Sequence, residues 1–169
     1  MTIRVLLADD QALLRGAFRT LLETAEDISV VGEAADGAEA VALTRELRPD
    51  VVIMDVRMPE GSGIDACRDL RNESPDSRVI MLTSYSDDTA LFSSIMAGAA
   101  GYLLKQTSAA VLVDSIRSVG AGNARRRRLH RHRLRPRQLH GVADGVDVEA
   151  AALVRREHQP VGVLRRGER

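Results

Sequence analysis

A chain of 169 residues with 44% apolar content has material for one domain, or one domain and an appendage. Its 24 basic and 24 acidic residues cancel, and its single cysteine, Cys67, excludes an internal disulfide, so a reducing, cytoplasmic compartment is expected. No run approaches the ~18 apolar residues of a membrane helix, and the five-residue apolar run in "MTIRVLLADD" is too short for a secretory signal.

"IRVLLA" (3–8) is a short apolar run ending in Asp9 and Asp10, which predicts a buried strand. Leu13, Leu14, Ala17, Phe18, Leu21 and Leu22 recur at helical spacing and predict an amphipathic helix over 11–23. "ISVVGEA" (28–34) is a second strand. Asp36 is placed to cap the next helix, which runs to about Leu47 before Pro49. "VVIM" (51–54) is a third strand, followed by a turn cluster of Pro59, Gly61 and Gly63 and a helix to Asn72. "RVIML" (78–82) and "GYLL" (101–104) are the fourth and fifth strands, with a helix from Asp87 to Met96 between them. Ser108 is placed to cap a last helix that Gly120 ends.

Strand and helix thus alternate five times. Strands that are apolar throughout, joined by helices, imply an α/β fold with a doubly wound, five-stranded parallel sheet covered on both faces. Right-handed crossovers bring all the strand C-termini to one edge, where ligands of such sheets bind. That edge gathers Asp9 and Asp10 from the first strand, Asp55 from the third, Thr83 and Ser84 from the fourth and Lys105 from the fifth.

Each of these residues has an ordinary explanation. Asp55 suits an Asx turn, Asp9 and Asp10 suit a helix cap, Thr83 is a common strand residue, and Lys105 suits a solvated strand end. Their arrival at successive strand ends favours one shared crevice. Clustered carboxylates need a cation, and oxygen-only ligands suit Mg²⁺. Beside such a cation, Asp55 is a candidate nucleophile for a phosphoryl group, with Lys105 and Thr83 binding phosphoryl oxygens. Lys105 is the only lysine among 24 basic residues, and a compact point charge on a flexible stem suits this place.

"VLLADD", "DVVIMDVRMPEGSG", "VIMLTSY" and "AGAAGYLLK" resemble the receiver domain of two-component response regulators, over about residues 1–120. "DVRMPEGSGI" and "AGAAGYLLK" look most like the NarL/FixJ (LuxR-type) subfamily. The resemblance implies a (βα)5 flavodoxin-like fold and phosphorylation of Asp55 by a cognate histidine kinase. It also implies Mg²⁺ bound directly by Asp10, supported by Asp9 and completed by Asp55 and the Arg57 carbonyl. Thr83 and Lys105 keep the phosphoryl roles above, and Tyr102 matches a switch aromatic. The implied protein is a phosphoacceptor with weak, self-directed phosphorylation chemistry rather than a conventional enzyme, and homodimerisation is an open expectation.

Residues 121–169 differ. They carry 13 Arg against 5 acidic residues, a net of +8, whereas residues 1–120 carry 19 acidic against 11 basic, a net of −8. The tail has no aromatic residue and no pattern of the helix-turn-helix that this subfamily usually carries. It reads as a basic, disordered extension with no recognisable domain. A nucleic-acid-binding arm through Arg125–Arg128, Arg131, Arg133, Arg135 and Arg137, a passive solvated tail, and the product of a shifted reading frame are the three accounts of it. The functional expectation is a phosphorylation-controlled transcription regulator, truncated or frame-shifted, with a stand-alone receiver acting through protein contacts as the alternative.

Overall fold

The computed structural model describes residues 1–59, 61–84 and 88–132. Five parallel strands, β1 (Ile3–Ala8), β2 (Ile28–Ala34), β3 (Val51–Asp55), β6 (Arg78–Thr83) and β7 (Gly101–Leu104), form one sheet in the order β2-β1-β3-β6-β7. Two two-residue strands, β4 (Arg57–Met58) and β5 (Gly61–Ser62), make a separate antiparallel ladder directly after β3. The helices are α1 (Ala12–Leu22), α2 (Gly37–Leu47), α3 (Gly63–Glu73), α4 (Asp88–Met96) and α5 (Ala109–His132). The expected doubly wound parallel sheet is therefore present.

The period-2 alternation of strand side chains divides the core in two. Leu6, Ala8, Val52, Met54, Val79, Met81 and Tyr102 point to one face, where Ala40, Ala66, Leu70 and Ala97 cover them. Val5, Leu7, Ile53, Ile80 and Leu82 point to the other, under Leu22, Leu112 and Ile116. Both faces are packed, which explains why these strands are apolar without alternation in the sequence.

Local sequence chemistry sets the helix ends. Asp36 accepts a hydrogen bond from the Glu39 amide at 2.8 Å, and the Glu39 carboxylate in return accepts from the Ala35 amide at 2.7 Å. The Ser108 hydroxyl accepts from the Val111 amide at 3.3 Å, as expected of a cap. Helix α2 closes on Arg48 at φ 49°, a left-handed residue one position before Pro49. Gly98, at φ 87°, follows α4.

The expected stop of the last helix at Gly120 is corrected. Helix α5 continues past Gly120 to His132. Gly120 serves packing instead: a Cβ there would lie 2.9 Å from Ile3 Cγ2, at the start of β1. The bare glycine lets the helix approach the strand closely. Arg133, Arg135 and Arg137, with the rest of residues 133–169, lie outside the described residues, as does the expected helix start at Asp87.

Candidate functional site

The order β2-β1-β3 means that the chain leaves β1 to one side and returns to its other side. The reversal opens a crevice beyond the C-terminal ends of β1 and β3. Asp9 and Asp10 follow the last residue of β1, and Asp55 is the last residue of β3. Their pairing register, Ala8 opposite Met54, brings those ends level. One carboxylate oxygen from each of Asp9, Asp10 and Asp55 lies within 4.8 Å of the others, an acidic cluster able to hold a metal ion.

Two of the three acids are inside the protein. Asp9 is 4% exposed and Asp55 5%, whereas Asp10 faces solvent. Lys105, one residue past β7, compensates them. Its Nζ lies 2.6 Å from Asp9 Oδ2 and 2.8 Å from Asp55 Oδ2, so a single ammonium holds two carboxylates. The Lys105 amide donates to the Thr83 carbonyl at 2.7 Å, which ties the ends of β6 and β7 together behind the site.

The other oxygens are held by short turns. Asp9 Oδ1 accepts from the Gln11 amide at 2.9 Å, and Asp55 Oδ1 from the Arg57 amide at 3.3 Å. Asp9 Oδ2 is buried and accepts no bond of hydrogen-bond geometry; it meets the lysine as a charge. Burial pushes the Asp55 carboxyl above the usual aspartate range, against the lowering effect of Lys105 and the Arg57 amide, with Asp9 adding to the rise. Burial would lower the Lys105 ammonium, but the hydrogen bond it donates to Asp55 and the negative charges of Asp55 and Asp9 hold it above the usual lysine value.

Glycine positions the acceptor. Gly63 opens α3, and its amide donates to the Val56 carbonyl at 3.1 Å. A Cβ on Gly63 would fall 1.9 Å from the Asp55 carbonyl oxygen, so no larger residue fits while that peptide stays in place. The sequence marks Gly63 only as part of a turn; the close approach to the Asp55 backbone is a tertiary fact.

The structure brings Asp9, Asp10, Asp55 and Lys105 together. Thr83, 4% exposed, ends β6 next to Asp55, and Ser84 is exposed with its carbonyl accepting from Gln106 Nε2 at 3.3 Å. Tyr102 is not at the mouth. It is 7% exposed and packs on the α4 side of the sheet, with Met81 opposite it in the neighbouring strand. Sequence reasoning missed the double role of Lys105. It also missed Arg15, whose Nη1 donates to the Asp9 carbonyl at 2.6 Å.

Residues 5–117 match the family described as Response regulator receiver domain. The transcriptional regulatory protein LiaR of Bacillus subtilis is 45% identical over 120 residues, covering 71% of this chain and 57% of LiaR. The DNA-binding transcriptional activator DevR/DosR of Mycobacterium tuberculosis is 43% identical over 122 residues, covering 72% and 56%. The chain thus spans little more than half the length of these relatives. Among solved structures, a LuxR-family two-component response regulator from Aurantimonas sp. superposes with a TM-score of 0.69 at 37% identity, over 72% of this chain and 87% of that one. The isolated REC domain of RcsB from Salmonella enterica serovar Typhimurium superposes at 0.67 with 26% identity, over 72% and 91%.

Proposed function

Because the chain belongs to the response regulator receiver domain family, we propose that it is a two-component response regulator in which Asp55 takes a phosphoryl group from a kinase phosphohistidine. The observation that supports this most directly is the ammonium of Lys105 shared between Asp55 and Asp9, beside the exposed Asp10. A carboxylate already paired with a lysine ammonium, beside an exposed acid, is set up to receive an anionic group and have the added charge met.

In the transfer, an Asp55 carboxylate oxygen attacks phosphorus. The phosphorus–nitrogen bond of the donor breaks, and its electron pair returns to the imidazole, which takes up a proton. Lys105 exchanges part of its hold on the carboxylates for a phosphoryl oxygen, and the Thr83 hydroxyl donates to another. Asp10, Asp9, Asp55 and the Arg57 carbonyl would hold Mg²⁺. Their hard oxygen donors fit that ion, and the buried Asp9 Oδ2 has acceptor capacity left. Bound Mg²⁺ supplies neutralisation of charge on the transferring phosphoryl group. The chain promotes its own phosphorylation and dephosphorylation and is no conventional enzyme.

Tyr102 gives the switch. With its ring already inside on the α4 side, phosphorylation favours this packing by drawing Thr83 toward the phosphoryl group, shifting a population between two states. Regulation of transcription is the proposed output, since LiaR and DevR/DosR are both named as transcription regulators. The proposed partners are a histidine kinase, a second copy of the chain and DNA.

Incubation with acetyl phosphate and Mg²⁺ tests the acceptor. An acid-stable, base-labile adduct should form on the wild type and be absent from Asp55→Ala. Equal labelling of the two proteins would refute the assignment.

A further inference from the structure

The end of β1 has a backbone problem that the sheet does not solve. The Asp9 amide still donates to the Ala34 carbonyl of β2 at 3.1 Å, but the strand ends at Ala8 and the Asp9 carbonyl leaves the ladder. That carbonyl belongs to the peptide joining Asp9 to Asp10, so its direction fixes where Asp10 starts. Arg15 supplies its donor, with Nη1 at 2.6 Å. The same guanidinium gives Nε to Glu33 Oε2 at 3.2 Å, and the second oxygen of Glu33 takes Arg19 Nε at 2.5 Å.

The arrangement is a braced strut. Glu33, on β2, is clamped by two arginines one turn apart on α1, and Arg19 before Arg15 holds its carboxyl below the usual glutamate range. The Arg15 side chain is only 16% exposed, so its fork is held by packing as well as by Glu33. A planar guanidinium reaches both acceptors at once, which a lysine cannot do.

We propose that Arg15 is a positioning residue for the cation end of the site: it orients the Asp9–Asp10 peptide so that both acids present oxygens to Mg²⁺. This rests on the reading of that cluster as an Mg²⁺ site. The sign of the effect makes it testable. Arg15 is a cation near the cluster, so by charge alone its removal would tighten Mg²⁺ binding. By positioning, its removal weakens binding, as partners behind metal ligands do by roughly 10- to 100-fold.

The test titrates MgCl₂ into the full chain by calorimetry, for wild type, Arg15→Met, Arg15→Lys and Arg19→Met, at a temperature where circular dichroism shows each folded. The half-saturating Mg²⁺ concentration should rise about tenfold in Arg15→Met and less in Arg15→Lys. It should stay unchanged in Arg19→Met, which loosens Glu33 without touching the Asp9 carbonyl. Labelling by acetyl phosphate at saturating Mg²⁺ should remain within about twofold of wild type, because Asp55 and Lys105 are intact. Unchanged or tighter Mg²⁺ binding in Arg15→Met overturns the proposal, as does an equal shift in Arg19→Met. Should Arg15→Met not fold, Arg15→Lys decides by the same criterion. Failure of the wild type itself to bind Mg²⁺ removes the metal site, and with it the proposal.

Discussion

Replacing Lys105 with Met tests the electrostatic account of the site most severely. Its ammonium lies 2.6 and 2.8 Å from oxygens of two carboxylates, and the lysine and aspartate side chains are only 9% and 6% exposed. An exposed ion pair of this kind would be worth about 0–1 kcal/mol. Breaking a buried pair by removing one partner costs ~3–5 kcal/mol, because the other charge stays buried and uncompensated. Here two carboxylates lose their shared cation with a third acid close by, so a loss of at least ~3 kcal/mol is expected at pH 7. In a domain of this size that lowers the thermal midpoint by on the order of 10–20 °C. The deficit should depend on pH. Burial already raises the Asp55 carboxyl, and loss of Lys105 removes its strongest lowering partner, so it rises further. A carboxyl raised in the folded state adds stability below its unfolded pKa, and this is lost as pH rises through the folded value. The variant should therefore recover part of its deficit when measured at a pH nearer the ordinary aspartate range than pH 7, as a proton replaces the ammonium. Millimolar Mg²⁺ should recover part of it at pH 7 by binding only the native state. Urea unfolding at both pH values, with and without Mg²⁺, measures all three. A loss below about 1 kcal/mol that does not vary with pH would refute the reasoning and make Lys105 a solvated strand end.

Gly63→Ala should lose at least ~1–3 kcal/mol in urea unfolding and label slowly with acetyl phosphate, since its Cβ would meet the Asp55 carbonyl oxygen at 1.9 Å. Asp55→Asn should raise the thermal midpoint at pH 7, because the ionised, buried Asp55 is a net cost above its raised pKa. That gain should vanish below the ordinary aspartate range of about 3.9, where the wild-type carboxyl is protonated in both states. Cys67, 1% exposed and with its thiol pushed up to about 11 by burial, should resist a thiol reagent at pH 8 in the native chain and react rapidly in urea.

The sheet was legible because its strands are buried on both faces and so read as unbroken apolar runs, punctuated by Asp36, Pro49, Gly98 and Ser108. The candidate site was legible for a related reason: polar residues directly after such runs must emerge at one edge. What escaped the sequence depends on distances between segments far apart in the chain. Lys105 reaches Asp9 as well as Asp55, Arg15 reaches the Asp9 backbone, and Gly63 lies against the Asp55 peptide, none of which has a local signature. Gly120 misled for the opposite reason. Its local propensity points to a helix end, but its contact with Ile3 makes it a point of close packing inside a longer helix.

That longer helix acts as a lever arm. Gly120 rests against Ile3, the first residue of β1, so residues 121–132 continue from the sheet edge opposite the acidic mouth. Twelve residues at ~1.5 Å each give an arm of about 18 Å. With no break in the helix at Gly120, a tilt of about 5° where α5 lies on the sheet would sweep the far end by about 1.6 Å. Any repacking around Leu112 and Ile116 would thus leave the domain as a change of direction, magnified with distance, for whatever is joined beyond His132.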